Sequence, residues 1–191
     1  ELTVGLFSSV VPEFDERAFR EALANAFGHR DYSLLGRVRV LVDDAGLTIA
    51  NPGGFVEGIN VHNLLTAEPR GRNPCLMDAL KRTGLAERTG RGIDRIFEGA
   101  LNYGRPLPDY SRSNRRGVSV LLPRSVPDKA FVELLAEERE RSGKSMSLDG
   151  LLILDKLKSE RRCGFDVLSG SLDTVSYTHL RAHETELHLV C

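Results

Sequence analysis

The sequence has 191 residues, with 26 Lys and Arg against 27 Asp and Glu, and 41% of its residues are hydrophobic. This length accommodates one domain and part of a second, and the composition is typical of globular proteins. The sequence contains no run of about 18 apolar residues, which excludes a transmembrane helix.

The cysteines predict a reduced environment. Cys75, Cys163 and Cys191 are far apart and form no Cys-x-x-Cys pair, which argues against a disulfide framework and against a zinc site. The first residues show no basic segment followed by an apolar one, so no secretory signal is predicted. We therefore expect a cytoplasmic protein.

Positive charge is concentrated in one part of the chain. Residues 70–116 contain eleven Lys and Arg and five Asp and Glu, a local balance of +6, and Arg outnumbers Lys by 21 to 5 over the whole sequence. Basic, glycine-containing loops can hold the phosphate of a nucleotide or of a nucleic acid. A solvated, arginine-rich surface would give the same charge pattern, and both interpretations remain open here.

The first third of the chain predicts a strand, a helix and a hairpin. Residues 2–11 have the composition of a strand. Asp15 precedes an amphipathic helix over about residues 16–28. Residues 38–42 and 47–50 predict two antiparallel strands around a turn.

The remaining pattern predicts an α+β domain followed by helices. We expect helices on one face of a mixed sheet. A short helix is predicted at residues 61–65, longer helices at 75–83 and 92–103, and a strand at 117–122. Further helices are predicted at 129–141 and, after an N-cap at Ser147, at 148–161.

Both ends of the sequence are unusual. Residue 1 is Glu, and we expect the sequence to begin inside a longer protein. Residues 175–191 have no apolar period and resemble the conceptual translation of a sequencing adapter, so they are expected to pack on nothing. A histidine-rich metal tail is the alternative, because His179 and His183 are four residues apart.

One helix face carries a polar stripe. Glu21, Asn25 and His29 follow one another at intervals of four residues, which places them on the same face of the predicted helix. A carboxylate and an amide oxygen so placed can orient water and help hold Mg²⁺. An ordinary solvent-exposed face is the alternative.

Four ordered motifs resemble those of one family: Glu21-x-x-x-Asn25-Ala26-x-x-His29-Arg30-Asp31-Tyr32, then Asn51-Pro-Gly-Gly54, then Arg72-Asn-Pro74, then Gly90-Arg-Gly-Ile-Asp-Arg-Ile96. Together they look like the C-terminal ATP-binding domain of RecG-like ATP-dependent helicases and transcriptional regulators. That domain is similar to the GHKL ATPases (gyrase, heat-shock chaperone, histidine kinase, MutL). The resemblance covers about residues 12–123.

The resemblance implies a two-layer, GHKL-like (Bergerat-type) α/β sandwich that binds ATP and Mg²⁺. It implies that Glu21 is catalytic and that Asn25 faces both the metal and the phosphates. Gly90 and Gly92 would form the phosphate-facing turn before a helix, where backbone N–H groups suit an anion. The nucleotide-binding set implied is Asn25, His29, Arg30, Asn51, Gly53, Gly54, Arg72, Gly90, Arg91 and Gly92.

The sequence departs from better-known GHKL enzymes at the adenine site. Those enzymes usually carry an Asp before the first glycine turn, and residues 49–54 contain no acid. Asn51 is expected either to make a polar contact with the base or to form an Asx turn before Pro52.

Residues 142–145, Ser-Gly-Lys-Ser, resemble the end of a P-loop, but the pattern is incomplete. A P-loop has Gly five residues before Gly143, and that residue is Glu138. A helix is predicted before it, where a P-loop has a strand. We therefore expect a linker turn and no helicase motor.

The sequence as a whole predicts a nucleotide-binding regulatory module over residues 1–123, with residues 70–91 as a lid. Residues 124–174 would hold a linker helix and the first helix of a winged helix-turn-helix, and DNA would be bound only by further parts of the protein. Weak ATPase activity and a homodimer are open expectations.

The rival hypotheses are a structural or dimerisation domain without nucleotide, and direct nucleic-acid binding by the arginine-rich segment. If Arg72, Arg88 and Arg91 serve nucleotide, they should point toward Asn25.

Overall fold

The computed structural model describes residues 2–4, 7–9, 11–86 and 90–160. Contacts divide the chain into two units, residues 1–146 and 147–191. In the first unit the elements are β1 (Leu2–Val4), β2 (Phe7–Ser9), α1 (Glu16–Gly28), β3 (Arg39–Asp43), β4 (Gly46–Pro52), α2 (Pro74–Arg82), α3 (Gly92–Leu101), β5 (Gly117–Pro123) and α4 (Lys129–Ser142); α5 (Leu148–Glu160) lies in the second.

The predicted strand at residues 2–11 is two short strands instead. β1 and β2 pair antiparallel, with Leu2 opposite Ser9 and Val4 opposite Phe7. The sequence has a glycine at position 5, and glycine disfavours the interior of a continuous strand.

Helix α1 begins where the sequence predicts. Asp15 is the N-cap, and its carboxylate accepts a hydrogen bond of 2.9 Å from the backbone N–H of Ala18. The small residues Ala18, Ala22 and Ala26 are buried, whereas the large side chain of Phe27 is 43% exposed. α1 therefore packs closely through alanines, and it packs mainly against α3.

The main sheet has the order β3-β4-β5, and every described pair of its strands is antiparallel. The prediction of an α+β domain is confirmed, but the sheet is antiparallel rather than mixed. β3 and β4 form a hairpin around a two-residue turn, and α2 and α3 lie in the connection that brings β5 back antiparallel to β4. Alternate residues Leu47, Ile49 and Asn51 of β4 are buried.

No helix forms at residues 61–65, and that prediction is wrong. Two asparagine side chains hold this segment in consecutive turns. Asn63 accepts a bond of 2.7 Å from the N–H of Asn60 and donates one of 2.8 Å to the carbonyl of Gly58. Side-chain bonds of this kind compete with the hydrogen bonds of a helix.

The Ser-Gly-Lys-Ser tetrapeptide follows a helix, as predicted. Gly143 ends α4 in a left-handed conformation, with φ +71°, and its N–H bonds to the carbonyl of Arg139. The segment is thus a helix C-cap and not a phosphate loop.

The second unit is described through α5. The Ser147 hydroxyl accepts a bond of 3.2 Å from the N–H of Gly150, as expected of an N-cap. Within the described residues, no helix combines the length and apolarity that crossing a membrane requires. The predictions for Arg88 and for residues 175–191 lie outside the described residues.

Candidate functional site

The polar stripe of α1 lines a cavity of about 500 Å³. Glu21, Asn25 and His29 all contribute to its wall, and Glu21 is only 6% exposed. Apolar side chains of the sheet, Ile49 and Val120 among them, line it as well. The stripe therefore faces a cavity instead of open solvent.

The start of α3 meets this stripe at Glu21. A Cβ atom added to Gly92 would overlap the Glu21 carboxylate, so only glycine fits at this position without displacing that side chain. A carboxylate beside a helix N-terminus is favoured by the helix dipole. Gly90 and Gly92 both line the cavity, and Gly90 has a positive φ of +83°.

A buried tyrosine, Tyr110, lies beside Glu21 and was not predicted from the sequence. Burial, and then the charge of Glu21, raise the pKa of the Tyr110 phenol. Its ring lies parallel to that of Phe97, with centroids 6.5 Å apart, and near Phe55. Its contacts come from segments distant in sequence, so no local pattern could have indicated it.

Two effects favour the neutral form of His29. Burial lowers its pKa from the ordinary value of 6.5, and the positive charge of Arg72 lowers it further. A neutral imidazole can donate one hydrogen bond and accept another.

The turn after β4 contains the residues predicted beside the base. Asn51 is 6% exposed, and its amide donates to the carbonyls of Pro52 at 3.1 Å and Gly53 at 3.5 Å. Gly53 has φ +93°, and a Cβ there would lie 2.6 Å from the Cβ of Asp31. Asn51 and Gly54 line the main cavity, whereas Gly53 lines a smaller neighbouring one.

Residues 55–73 run from this turn to α2. Hydrogen bonds of Arg72 and Asn73 hold the end of this segment against the glycine turn and the end of α1. Arg72 bonds to the Gly54 carbonyl at 2.8 Å and to the Asp31 carboxylate at 3.3 Å. Asn73 donates to the carbonyls of Gly28 and Arg30 at the end of α1, at 2.9 and 2.7 Å. The middle of the segment supplies apolar wall to the cavity.

Three of the predicted arginines, Arg30, Arg72 and Arg91, do not line the main cavity. Arg30 donates to the carbonyls of Asp31, Leu34 and Gly36, and Arg72 makes the contacts just described. Arg91 pairs along its own helix with Asp94 at 2.9 Å and Glu98 at 3.8 Å. Among the described residues, Arg70 and Lys81 also line the cavity, and neither was predicted for this role from the sequence.

The predicted lid, residues 70–91, contributes to the cavity in part. Pro74, Met77 and Asp78 of α2 line it together with Gly90, but residues 54–69 supply as much of its wall. Within the described residues, the segment that lines the cavity after β4 therefore begins at Gly54, whereas the predicted lid begins at residue 70.

Comparison with known proteins gives one family and a solved structure. Residues 36–122 match the model of a family described as "Putative ATP-dependent DNA helicase recG C-terminal". No curated protein matches the chain. The crystal structure of the DIP2311 protein from Corynebacterium diphtheriae is similar to this chain, with a TM-score of 0.77 and 26% sequence identity. That similarity covers 93% of this chain and 37% of the other, so this chain spans little more than a third of that protein.

The family match starts after α1 and so does not include the polar stripe. It does include the glycine turn after β4, Arg72 and the Gly90–Gly92 segment. Over residues 36–122 it confirms the family that the motifs indicated, an ATPase-like domain similar to the C-terminal part of RecG-type helicases.

Proposed function

We propose that this chain is an ATP-binding regulatory module of a DNA-binding transcriptional regulator. One observation carries the proposal: Glu21, Asn25 and His29 line the same cavity as Gly90 and Gly92. A volume of about 500 Å³ lies within the range of small-molecule and cofactor sites.

The phosphates would lie toward the start of α3. Backbone N–H groups at a helix N-terminus attract anions, and α3 begins at Gly92. Arg70 and Lys81 line the cavity and can neutralise phosphate charge. The other proposed members of the nucleotide set, Arg30, Gly53, Arg72 and Arg91, would act by holding the surrounding loops.

Mg²⁺ would be held by the Asn25 side-chain oxygen together with phosphate oxygens and water. Within the described residues, no group of three or more His, Cys, Asp or Glu side chains could bind a metal by itself. Mg²⁺ commonly uses one or two protein oxygens and substrate phosphates, so a single amide beside a phosphate site fits this ion.

Glu21 would orient a water molecule and accept its proton. Its carboxylate is buried between the start of α3 and Tyr110, where a charge acts in a low dielectric. Slow ATP hydrolysis follows from this role. The chain lacks a P-loop, and we propose no helicase motor.

The base would occupy the part of the cavity lined by Val56, Ile59 and Leu65. Asn51 lines the same cavity, and His29 can add a hydrogen bond. In this proposal residues 1–123 form a GHKL-like sandwich, α5 opens a winged helix-turn-helix, and DNA is bound by further parts of the protein.

The second candidate function is a structural or dimerisation domain that has lost its ligand. It is favoured by the absence of an acid from residues 49–54 and by the bonds of the Asn51 amide to its own turn. In that case the cavity would be a relic of an ancestral site.

Thermal unfolding with and without ATP and Mg²⁺ separates the two. A ligand at about 100 times its Kd stabilises a protein by about 2.7 kcal/mol, which is readily measured. Asn25→Ala should remain folded and bind Mg²⁺–ATP at least about tenfold more weakly, which corresponds to about 1.4 kcal/mol.

Glu21→Gln should retain binding and lose hydrolysis. The matched control is Asn102→Ala, which removes an exposed asparagine at the end of α3 and should bind as the parent does. Equal stabilisation of the parent and Asn25→Ala by Mg²⁺–ATP would remove the metal role from Asn25.

A further inference from the structure

The outer edge of β3 is open within the described part of the chain. β3 pairs with β4 on one side, and no described segment pairs with its other side. The opposite edge of the sheet differs, because Asp109 and Leu121 exchange two backbone hydrogen bonds of 2.9 Å that cover part of β5. Among the described residues, the β5 edge is therefore partly protected, whereas the β3 edge is not.

The open edge is apolar on both faces. Val40, Leu41 and Val42 are 48%, 55% and 56% exposed. Val40 and Val42 lie opposite Ile49 and Leu47 of β4, which are both buried. The part of the protein that buries Leu47 and Ile49 of β4 therefore does not extend over Val40 and Val42 of β3. Open strand edges are usually blocked by Pro, a bulge or a central charge, and β3 has none of these.

The backbone of β3 determines which residues can pair with a new strand. Asp43 and Gly46 close the hairpin around a two-residue turn, which makes them a hydrogen-bonded pair. Because hydrogen-bonded and non-hydrogen-bonded pairs alternate along an antiparallel ladder, Val40 and Val42 direct their N–H and C=O groups outward.

We propose that β3 pairs antiparallel with β3 of a second copy of this chain, with Leu41 on the two-fold axis. In this register Val40 lies opposite Val42 of the other copy, and both present outward backbone groups. Arg39 lies opposite Asp43 of the other copy, which places opposite charges at each end of an apolar centre. A shift by two residues would set a charged residue against Leu41.

A second copy of this chain is the proposed partner for the open edge because β3 is complementary to itself. An isologous interface requires that one patch complement itself, and the sequence Arg-Val-Leu-Val-Asp does so in charge and in hydrogen bonding. The product is a continuous six-stranded sheet across the two copies. A pair of five-residue strands is a small interface, so we expect association in about the micromolar range.

Sedimentation velocity on the 191-residue chain over a range of concentrations tests the dimer. Leu41→Lys places two like charges at the axis, and Arg39→Asp sets an Asp against Asp43; each should weaken association at least about tenfold. Arg112→Asp makes the same charge change at an exposed turn and should leave association unchanged. Circular dichroism checks that each variant is folded.

Cross-linking tests the register independently. In a background with Cys75, Cys163 and Cys191 changed to Ser, Leu41→Cys should form an intermolecular disulfide on mild oxidation. Residues directly opposite in a non-hydrogen-bonded pair have Cα atoms about 4.5 Å apart, which suits a disulfide. Val40→Cys is the matched control and should not cross-link, because it lies opposite Val42.

Three outcomes overturn the proposal. The chain could be monomeric at all concentrations, a dimer could be unaffected by Leu41→Lys and Arg39→Asp, or Val40→Cys could cross-link as readily as Leu41→Cys. A monomer with Val40 and Val42 amides protected from hydrogen exchange would show that another part of the same chain covers this edge.

Discussion

Gly99→Ala tests the packing of the helix that carries the polar stripe. A Cβ built on Gly99 of α3 lies 2.5 Å from the Cβ of Ala18 and 3.0 Å from the Cβ of Asp15. Carbon atoms in contact prefer about 3.5–4.0 Å, so the helices must separate by about 1 Å or more. The Cβ of Ala18 cannot move without its backbone, and Ala18 is 2% exposed.

Two effects of opposite sign compete in this variant. Ala in place of Gly inside a helix is favourable by about 0.8–1.0 kcal/mol, whereas overpacking costs about 1–3 kcal/mol. We expect the overlap to win, since it also disturbs the Asp15 cap, and the free energy of unfolding to fall by about 1–2 kcal/mol.

Urea denaturation followed by circular dichroism measures this change. The double variant Ala18→Gly, Gly99→Ala removes the overlapping carbon and should regain most of the stability lost in Gly99→Ala, which gives a coupling of about 1 kcal/mol or more. A Gly99→Ala protein that is more stable than the parent by about 1 kcal/mol would refute close packing of α1 on α3.

Gly53→Ala should cost at least about 1–2 kcal/mol in urea denaturation, because φ is +93° and the new carbon would meet Asp31; unchanged stability would contradict this turn geometry. The lowered pKa of His29 means that the unfolded chain binds more protons below about pH 6.5, so the free energy of unfolding should fall as the pH drops below that value. His29→Gln should flatten this part of the pH profile, and an identical slope in both proteins would count against a buried neutral histidine. Arg72→Met should raise the pKa of His29 toward its ordinary value in an NMR titration, since a neighbouring positive charge is lost. An unchanged pKa of His29 would show that the charge of Arg72 does not act on it.

Local signals predicted the elements that local interactions form. α1 begins where it was predicted because Asp15 caps it. The β3–β4 hairpin follows from two short apolar strands around a turn whose Asp43 carboxylate accepts from the N–H of Ala45. At residues 61–65 the apolar composition favoured a helix, but the asparagine side chains stabilised turns.

Long-range contacts were beyond the reach of local patterns. The motifs placed Arg72 among phosphate ligands, yet its carboxylate partner Asp31 lies 41 residues earlier in the chain. Tyr110 is buried, and its ring lies near those of Phe55 and Phe97, which belong to other segments. Helical spacing did group Glu21, Asn25 and His29, because that grouping depends on one helix alone. Arg70 and Lys81 line the same cavity only because a later part of the chain folds back onto α1, and no local pattern indicates that fold.

Isothermal titration of the 191-residue chain with ATP, with and without Mg²⁺, tests the central claim most directly. The proposal of a nucleotide site at the Asn25 stripe predicts saturable binding near one ATP per chain. It also predicts at least about tenfold tighter binding with Mg²⁺ and loss of that difference in Asn25→Ala. No heat of binding at any accessible concentration, from a chain shown to be folded, would contradict the claim and leave the structural or dimerisation domain as the function.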